Sequence, residues 1–389
     1  MFHVHAASYG RFPVGAVIVG LILSLGSCRP SAPTPNRSIQ PGETVYFVPT
    51  AEKMVALTLD DGPNGAATER VLDILKQFRV PATFFLIGTN VTHYPEIVRR
   101  MAREGHLIGN HSFQHLRFDQ ITSRAMLEDI ARGEEAITGV TGVKPTWFRP
   151  PFGINGVGLD EICRARGVVI AGWSGHAGDW NPQSAVEIAE HMITQATPGD
   201  ILLLHDGWET RHEVDRHNTV DAVYLILERL TREGFQFVTL PELVRHAGPP
   251  LAEFSDGVRL LGLHVQAQPI HPGDAVYIRY FWDIPGGWNY KSAAAFVHFQ
   301  TGDGFRFQDD HIIRPRGDVR DLAVERTLII PPNAPVGRYQ GRIGLFDPAN
   351  PDVKLRVPVR SAGLHRKGAV ILPDILEIRA RSNTNNQVP

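Results

Sequence analysis

The 389-residue sequence has little cysteine, little net charge and little extended apolar sequence. Its two cysteines, Cys28 and Cys163, form no metal-type pair, and a disulfide framework is excluded. Cys163 falls at an apolar helical position and reads as a buried core thiol. The formal net charge is −2 with no long basic run, which argues against nucleic acid as the main partner. The apolar stretch over 12–25 has the length of a signal h-region and is short for a membrane span. The full sequence is 43% hydrophobic and 21% charged, ordinary for a globular protein with room for two or three domains.

The apolar stretch ends in Leu25-Gly26-Ser27-Cys28. This tetrapeptide resembles the lipobox of bacterial lipoproteins, in which the Cys becomes the lipidated first residue. We therefore expect a signal peptide over 1–28 with lipidation at Cys28, export, and anchoring to a membrane of the cell envelope. An ordinary secretory signal with an incidental Cys is the alternative, and it too predicts export. Residues 29–45, rich in Pro and Ser, read as a flexible linker.

From residue 54 short apolar strands alternate with helical patterns. The strand candidates are 54–59, 82–87, 106–109, 146–148, 168–173, 201–204 and 235–239. Between them Val71, Leu72, Leu75 and Phe78 share one helical face, Pro95 opens a helix and Gly105 closes it. Strands joined by crossover helices imply an α/β fold with a parallel sheet, open or closed into a barrel, over 46–247. After Gly248-Pro249-Pro250 the pattern changes to strands and turns without helical periods. Residues 251–380 therefore read as an all-β, immunoglobulin-like sandwich domain, separable from the first, with a disordered tail over 381–389.

Polar groups gather just past several strand ends. Ala56-Leu57-Thr58-Leu59-Asp60-Asp61-Gly62-Pro63 ends a buried strand in two adjacent carboxylates, which repel each other unless a cation or proton lies between them. In parallel α/β folds that edge carries active sites. Alone, Asp-Asp-Gly is also good turn chemistry. Asn110-His111-Ser112-Phe113-Gln114-His115 supplies two imidazoles at i and i+4, which a helical turn would set on one side. With Asp61 they make a carboxylate and two imidazoles, a common open metal site. Asp60 could then act as general base, with Arg149 holding it ionised. His205 could protonate a leaving nitrogen, with Asp179 orienting its ring. Each also has a plain structural reading: a surface salt bridge for Arg149, a neutral core histidine for His205.

Taken in order, these motifs resemble those of the NodB-type polysaccharide deacetylases, carbohydrate esterase family 4, over about residues 50–245. Thr58-Leu59-Asp60-Asp61-Gly62 is similar to the family's first motif and His111-Ser112-Phe113-Gln114-His115 to its second. Arg149-Pro150-Pro151-Phe152 is similar to the third, Asp179-Trp180 to the end of the fourth, and Leu203-Leu204-His205 to the fifth. The resemblance implies a distorted (β/α) barrel of about seven strands. It implies a divalent metal, zinc or similar, on Asp61, His111 and His115, and a base at Asp60. It also implies an oxyanion donor at the Phe152 amide, groove walls at Phe152 and Trp180, a methyl contact at Leu203 and an acid at His205. The reaction implied is hydrolytic removal of N-acetyl groups from an N-acetylated amino-sugar polymer: peptidoglycan, an exopolysaccharide or a chitin-like glycan.

Two positions depart from the pattern. His176 stands where the fourth motif often has Asp, and Phe152 where the third commonly ends in Tyr. A related hydrolase of another C–N bond, or a silent envelope glycan-binding protein, are the competing readings. In the β region Asp309-Asp310-His311 reads as a solvated loop, and Trp282, Trp288 and Tyr290 as a sugar-stacking platform or, equally, as core or interface.

Overall fold

The structure, a computed structural model, describes residues 39–254, 257–265, 269–284, 293–313, 321–347, 350–354, 364–366 and 369–380. The expected signal peptide, Cys28, most of the linker, Trp288, Tyr290 and the tail lie outside them. No helix among the described residues is long and apolar enough to cross a membrane.

The first region holds strands β1 (Thr44–Val45), β2 (Met54–Asp60), β3 (Thr83–Leu86), β4 (Leu107–Asn110), β5 (Trp147–Phe148), β6 (Val169–Ala171), β7 (Gly175–His176), β8 (Ile201–His205) and β9 (Gln236–Phe237). Its helices are α1 (Gly65–Phe78), α2 (Gly88–His93), α3 (Pro95–Arg103), α4 (Ser123–Thr141), α5 (Leu159–Arg166), α6 (Ala185–Gln195), α7 (His217–Arg232) and α8 (Leu240–Arg245). The strands form one parallel sheet in the order β1-β6-β5-β4-β3-β2-β8-β7, with β9 also pairing β2. No pairing joins β1 to β7 among the described residues, so the sheet is a curled half-barrel of more strands than expected. Two expectations need correction. The ordered chain begins before residue 46, because Thr44–Val45 pairs with β6 inside the stretch read as linker. The strand read over 168–173 stops at Ala171, and the short β7 intervenes before Asp179.

Strand β2 explains how the sheet aims its chemistry. All seven residues are buried, as a strand covered on both faces requires. Val55, Leu57 and Leu59 point into the core beneath α1 and α7, with Val71, Leu75, Val223 and Leu227. Met54 and Ala56 point the other way, into a second cluster with Phe85, Trp147 and Ile201. A period of two then carries Thr58 and Asp60 to that same inner face. Burying an apolar side chain of this size contributes roughly 1.5–3 kcal/mol, so a one-residue slip that turned Asp60 outward would forfeit several such terms.

The second region is antiparallel. Its strands are β10 (Ala252–Glu253), β11 (Arg259–Val265), β12 (Ala275–Asp283), β13 (Ala293–Gln300), β14 (Arg306–Gln308), β15 (His311–Ile313), β16 (Asp321–Ile329), β17 (Gly337–Asp347), β18 (Asn350–Lys354), β19 (Leu364–Arg366) and β20 (Ala369–Ile378). They form a four-stranded sheet, β10-β11-β12-β16, and a seven-stranded sheet built on β14-β13-β17-β20-β19. Both sheets feed one core: Leu260, Ile278, Tyr280 and Trp282 meet Val297, Phe299, Tyr339 and Leu345. Trp282 is therefore core rather than a sugar platform. The solvated-loop reading of Asp309-Asp310-His311 is also overturned. Asp309 and His311 are buried, Tyr280 donates to Asp309 at 2.9 Å, and Arg326 pairs with its other oxygen at 3.0 Å. Burial at such a place demands partners for a carboxylate, and the phenol and guanidinium supply them.

The two regions are bonded to each other. Arg279 of β12 is buried, donates to the Ser174 carbonyl and, at 2.7 Å, to that of Gln195, and lies 3.5 Å from the Asp200 carboxylate. Beside it Phe47 stacks on Phe281 with ring centroids 4.2 Å apart. A clean separation at Gly248-Pro249-Pro250 would uncover these groups.

Candidate active site

Asp60 ends β2 on the inner face, where Arg149 meets it. Arg149 is fully buried; its Nη1 donates to Asp60 Oδ1 at 2.7 Å and to Thr58 Oγ1 at 2.8 Å, and its Nη2 donates to the Gly172 carbonyl at 2.7 Å. The guanidinium also lies over the Phe85 ring at 4.2 Å. This is a buried, charge-assisted pair with every neighbour fixed, not a surface salt bridge.

Asp61 leaves the strand with a positive φ of 70°, which swings its carboxylate away from that of Asp60 and towards His111 and His115. Its Oδ1 lies 3.5 Å from His111 Nε2 and 3.3 Å from His115 Nε2, and one ligand atom from each of the three residues falls within 4.8 Å of the others. Oδ2 is held by the Glu209 amide at 2.9 Å, and the Asp61 carbonyl by Asn90 Nδ2 at 2.9 Å. His111 Nδ1 donates to the Arg149 carbonyl at 2.7 Å, which turns Nε2, the ring's other nitrogen, towards the Asp61 carboxylate. Asp61 Oδ1 and His115 Nδ1 are buried without a hydrogen-bond partner.

The electrostatics agree with a ligand set suited to a cation. Burial alone would raise Asp61, but the approach of His111 and the charge of His205 hold it well below the ordinary carboxylate range. Burial, with His111 beside it, pushes His115 down to about 3, so its ring is neutral and able to ligate. One carboxylate and two imidazoles around an orphaned oxygen fit a divalent metal with open positions.

The route by which the two imidazoles converge differs from the expected helical turn. Residues 111–115 are not helical, and Ser112 and His115 have φ of 65° and 57°. The loop is closed by the His115 amide donating to Ser112 Oγ at 3.0 Å and the Gln114 amide donating to Asp129 Oδ1 at 3.0 Å. It presses on α4 at Gly133, where a Cβ would stand 2.4 Å from Asn110 Oδ1 and 2.8 Å from the Ser112 backbone.

His205 ends β8 as the register partner of Asp60. Its Nδ1 meets Asp179 Oδ1 at 2.9 Å, and its amide donates to Asp179 Oδ2 at 2.9 Å. Arg216 and Thr219, at the start of α7, hold that Oδ2 at 2.7 and 3.0 Å. Burial would lower the imidazole, but the charge and hydrogen bond of Asp179, with Asp61 and Asp60 behind it, raise it to about 9. The ring is thus a cation at neutral pH. Leu203, two residues back on the same face, is buried. Phe152 and Trp180 flank the site as partly exposed rings, at 45% and 38% exposure. Phe152 lies 4.5 Å from the His115 ring, and Trp180 stands edge-on to His205 at 5.5 Å.

A family model described as "Polysaccharide deacetylase" matches residues 47–169. The chain is 36% identical over 214 residues to a peptidoglycan-N-acetylglucosamine deacetylase of Bacillus cereus, covering 54% of this chain and 98% of that protein. The chain belongs to the polysaccharide deacetylase family. It is 35% identical to a chitooligosaccharide deacetylase of Bradyrhizobium sp., over 49% of this chain and 90% of that one. A solved structure of a peptidoglycan N-acetylglucosamine deacetylase with a bound N-hydroxybenzamide is 32% identical, with a TM-score of 0.50, covering 53% of this chain and 94% of that one. The chain is thus a polysaccharide-deacetylase enzyme whose relatives match about half of its length. Sequence reading missed Asn90, Gly133, Arg216 and Thr219 in this deacetylase. None lies in a motif; each acts by holding or making room for a motif residue, a role that only contacts reveal.

Proposed function

We propose that this polysaccharide deacetylase removes N-acetyl groups from an N-acetylated amino-sugar polymer of the cell envelope, with peptidoglycan the first candidate. The observation that carries the reading is a buried Asp61–His111–His115 ligand set beside a paired carboxylate, Asp60, and an imidazolium, His205. A bound divalent metal, zinc by its donor set, supplies polarisation of the acetyl carbonyl and acidification of the attacking water.

The chain's own residues do the rest. Asp60, paired with Arg149 at 2.7 Å, accepts the proton of the attacking water. His205, kept cationic by Asp179, donates its proton to the leaving nitrogen, because an amine anion is a very poor leaving group. The Phe152 amide stabilises the oxyanion, Leu203 bounds the acetyl methyl, and Phe152 and Trp180 wall the sugar groove. We further propose that the chain is divided into a signal peptide to residue 28, a linker, a deacetylase domain to about residue 247 and an immunoglobulin-like β-sandwich domain. In that arrangement a lipid on Cys28 tethers the enzyme to the membrane. The peptidoglycan-deacetylase names of its relatives support an envelope substrate.

Acetate release from purified peptidoglycan, exopolysaccharide and chitin oligomers tests this. Release from at least one glycan, fastest from peptidoglycan, is the expected result. Turnover only of small cyclic amides or other N-acyl compounds would overturn it.

A further inference from the structure

A cavity of about 530 Å³ opens where the parallel sheet meets the antiparallel region. His176 and His191 line it from β7 and α6, and His264, Tyr277 and Glu325 from β11, β12 and β16. Its size falls within the roughly 300–1,000 Å³ usual for small-molecule sites. His264 is 8% exposed, and its Nε2, like His176 Nδ1, is buried without a hydrogen-bond partner. Burial lowers both imidazoles, His264 to about 3, so the cavity wall they form carries no charge from either ring. The Tyr277 hydroxyl bonds to Glu325 across the same space.

This chemistry selects among ligands. The ligand atoms of these residues do not converge as those of Asp61, His111 and His115 do, which is the one candidate metal group among the described residues. Two neutral rings and a carboxylate disfavour an anion. Imidazole nitrogens, a phenol and a carboxylate together suit an uncharged, hydroxyl-rich molecule, each hydroxyl of which both donates and accepts. The cavity also lies one indole from the chemistry: His176 stacks on Trp180 at 5.2 Å, and Trp180 stands edge-on to His205 at 5.5 Å. Arg279 fixes the junction, so the cavity is preformed and a ligand need not order it.

Resting on the deacetylase reading above, we propose that this cavity is a further sugar subsite, built jointly by both regions, that takes a residue of the glycan beyond the one being deacetylated. It gives the enzyme a preference for longer chains. It also gives His176 a role outside the reaction, as a wall shared with Trp180.

The test uses the full chain, wild type, Glu325→Gln and Tyr277→Phe, with the dimer and hexamer of N-acetylglucosamine. In the zinc-loaded enzyme each substitution should raise KM for the hexamer roughly tenfold, the scale of one or two hydrogen bonds. Hexamer kcat, and kcat/KM for the dimer, should not change. Equal kinetics on the hexamer for all three proteins, or equal losses on dimer and hexamer, would overturn the subsite. Calorimetric binding of the hexamer to the metal-free proteins separates this from failure of the deacetylase reading. Weaker binding by the variants supports the subsite even if wild type releases no acetate, whereas no binding by wild type or equal binding by all three overturns it.

Discussion

His205 depends on one carboxylate. Asp179 takes the ring on one oxygen and the His205 amide on the other, while Arg216 and Thr219 keep that carboxylate from turning. His205, raised to about 9, is protonated below that pH and loses its proton as pH rises through it, so the basic limb of the rate profile belongs to it. Asp179→Asn removes the charge that opposes burial and should move the basic limb to lower pH, read from kcat against pH. His205→Ala should cut turnover by roughly 10²–10⁴-fold and leave metal content unchanged. A full metal complement with unchanged turnover would remove His205 from the reaction. At this scale the motif residues were legible in the sequence because their chemistry depends on residue type at strand ends. Arg216 was not, since an arginine opening a helix is common and only the Asp179 contact distinguishes it.

At the scale of elements, β2 and the loop over 111–115 set the geometry. The apolar run of β2 was readable because burial on both faces permits little else. The loop was read as a helical turn because i and i+4 spacing fits one, yet positive φ at Ser112 and His115 brings the two rings together by another path. Sequence carries no sign of that path, since neither residue is a glycine. Gly133 is its hidden support. Gly133→Ala places a methyl against the Ser112 backbone, which cannot yield as a flexible side chain would. The expected cost is about 1–3 kcal/mol of stability, with weaker zinc binding as His115 is displaced. Denaturant midpoints and zinc titration check both, and unchanged zinc affinity would show that the loop tolerates the shift. The short α2 and α8 were missed for a different reason: six residues give too little periodicity to read.

For the whole molecule, the change from α/β to all-β pattern was legible near residue 248, but the bond across it was not. Arg279 reads as an ordinary strand residue until Ser174, Gln195 and Asp200 are found around it. Removing it strands Asp200 in a buried site where burial already raises its pKa. Arg279→Ala should lower stability by about 3 kcal/mol, measured by denaturant unfolding. A loss under 0.5 kcal/mol would mean the two regions stand independently. Export is checked separately: Cys28→Ser should move the protein from the membrane fraction to the soluble exported fraction, and unchanged fractionation would argue against a lipid on Cys28.

Zinc titration of the chelated enzyme during acetate release from peptidoglycan tests whether deacetylation depends on a metal held by Asp61, His111 and His115. Activity should be absent after chelation, rise with added zinc and saturate near one equivalent per chain, while His115→Ala shows no saturable rise. Acetate release that persists after complete metal removal, or a full zinc response in His115→Ala, would contradict it.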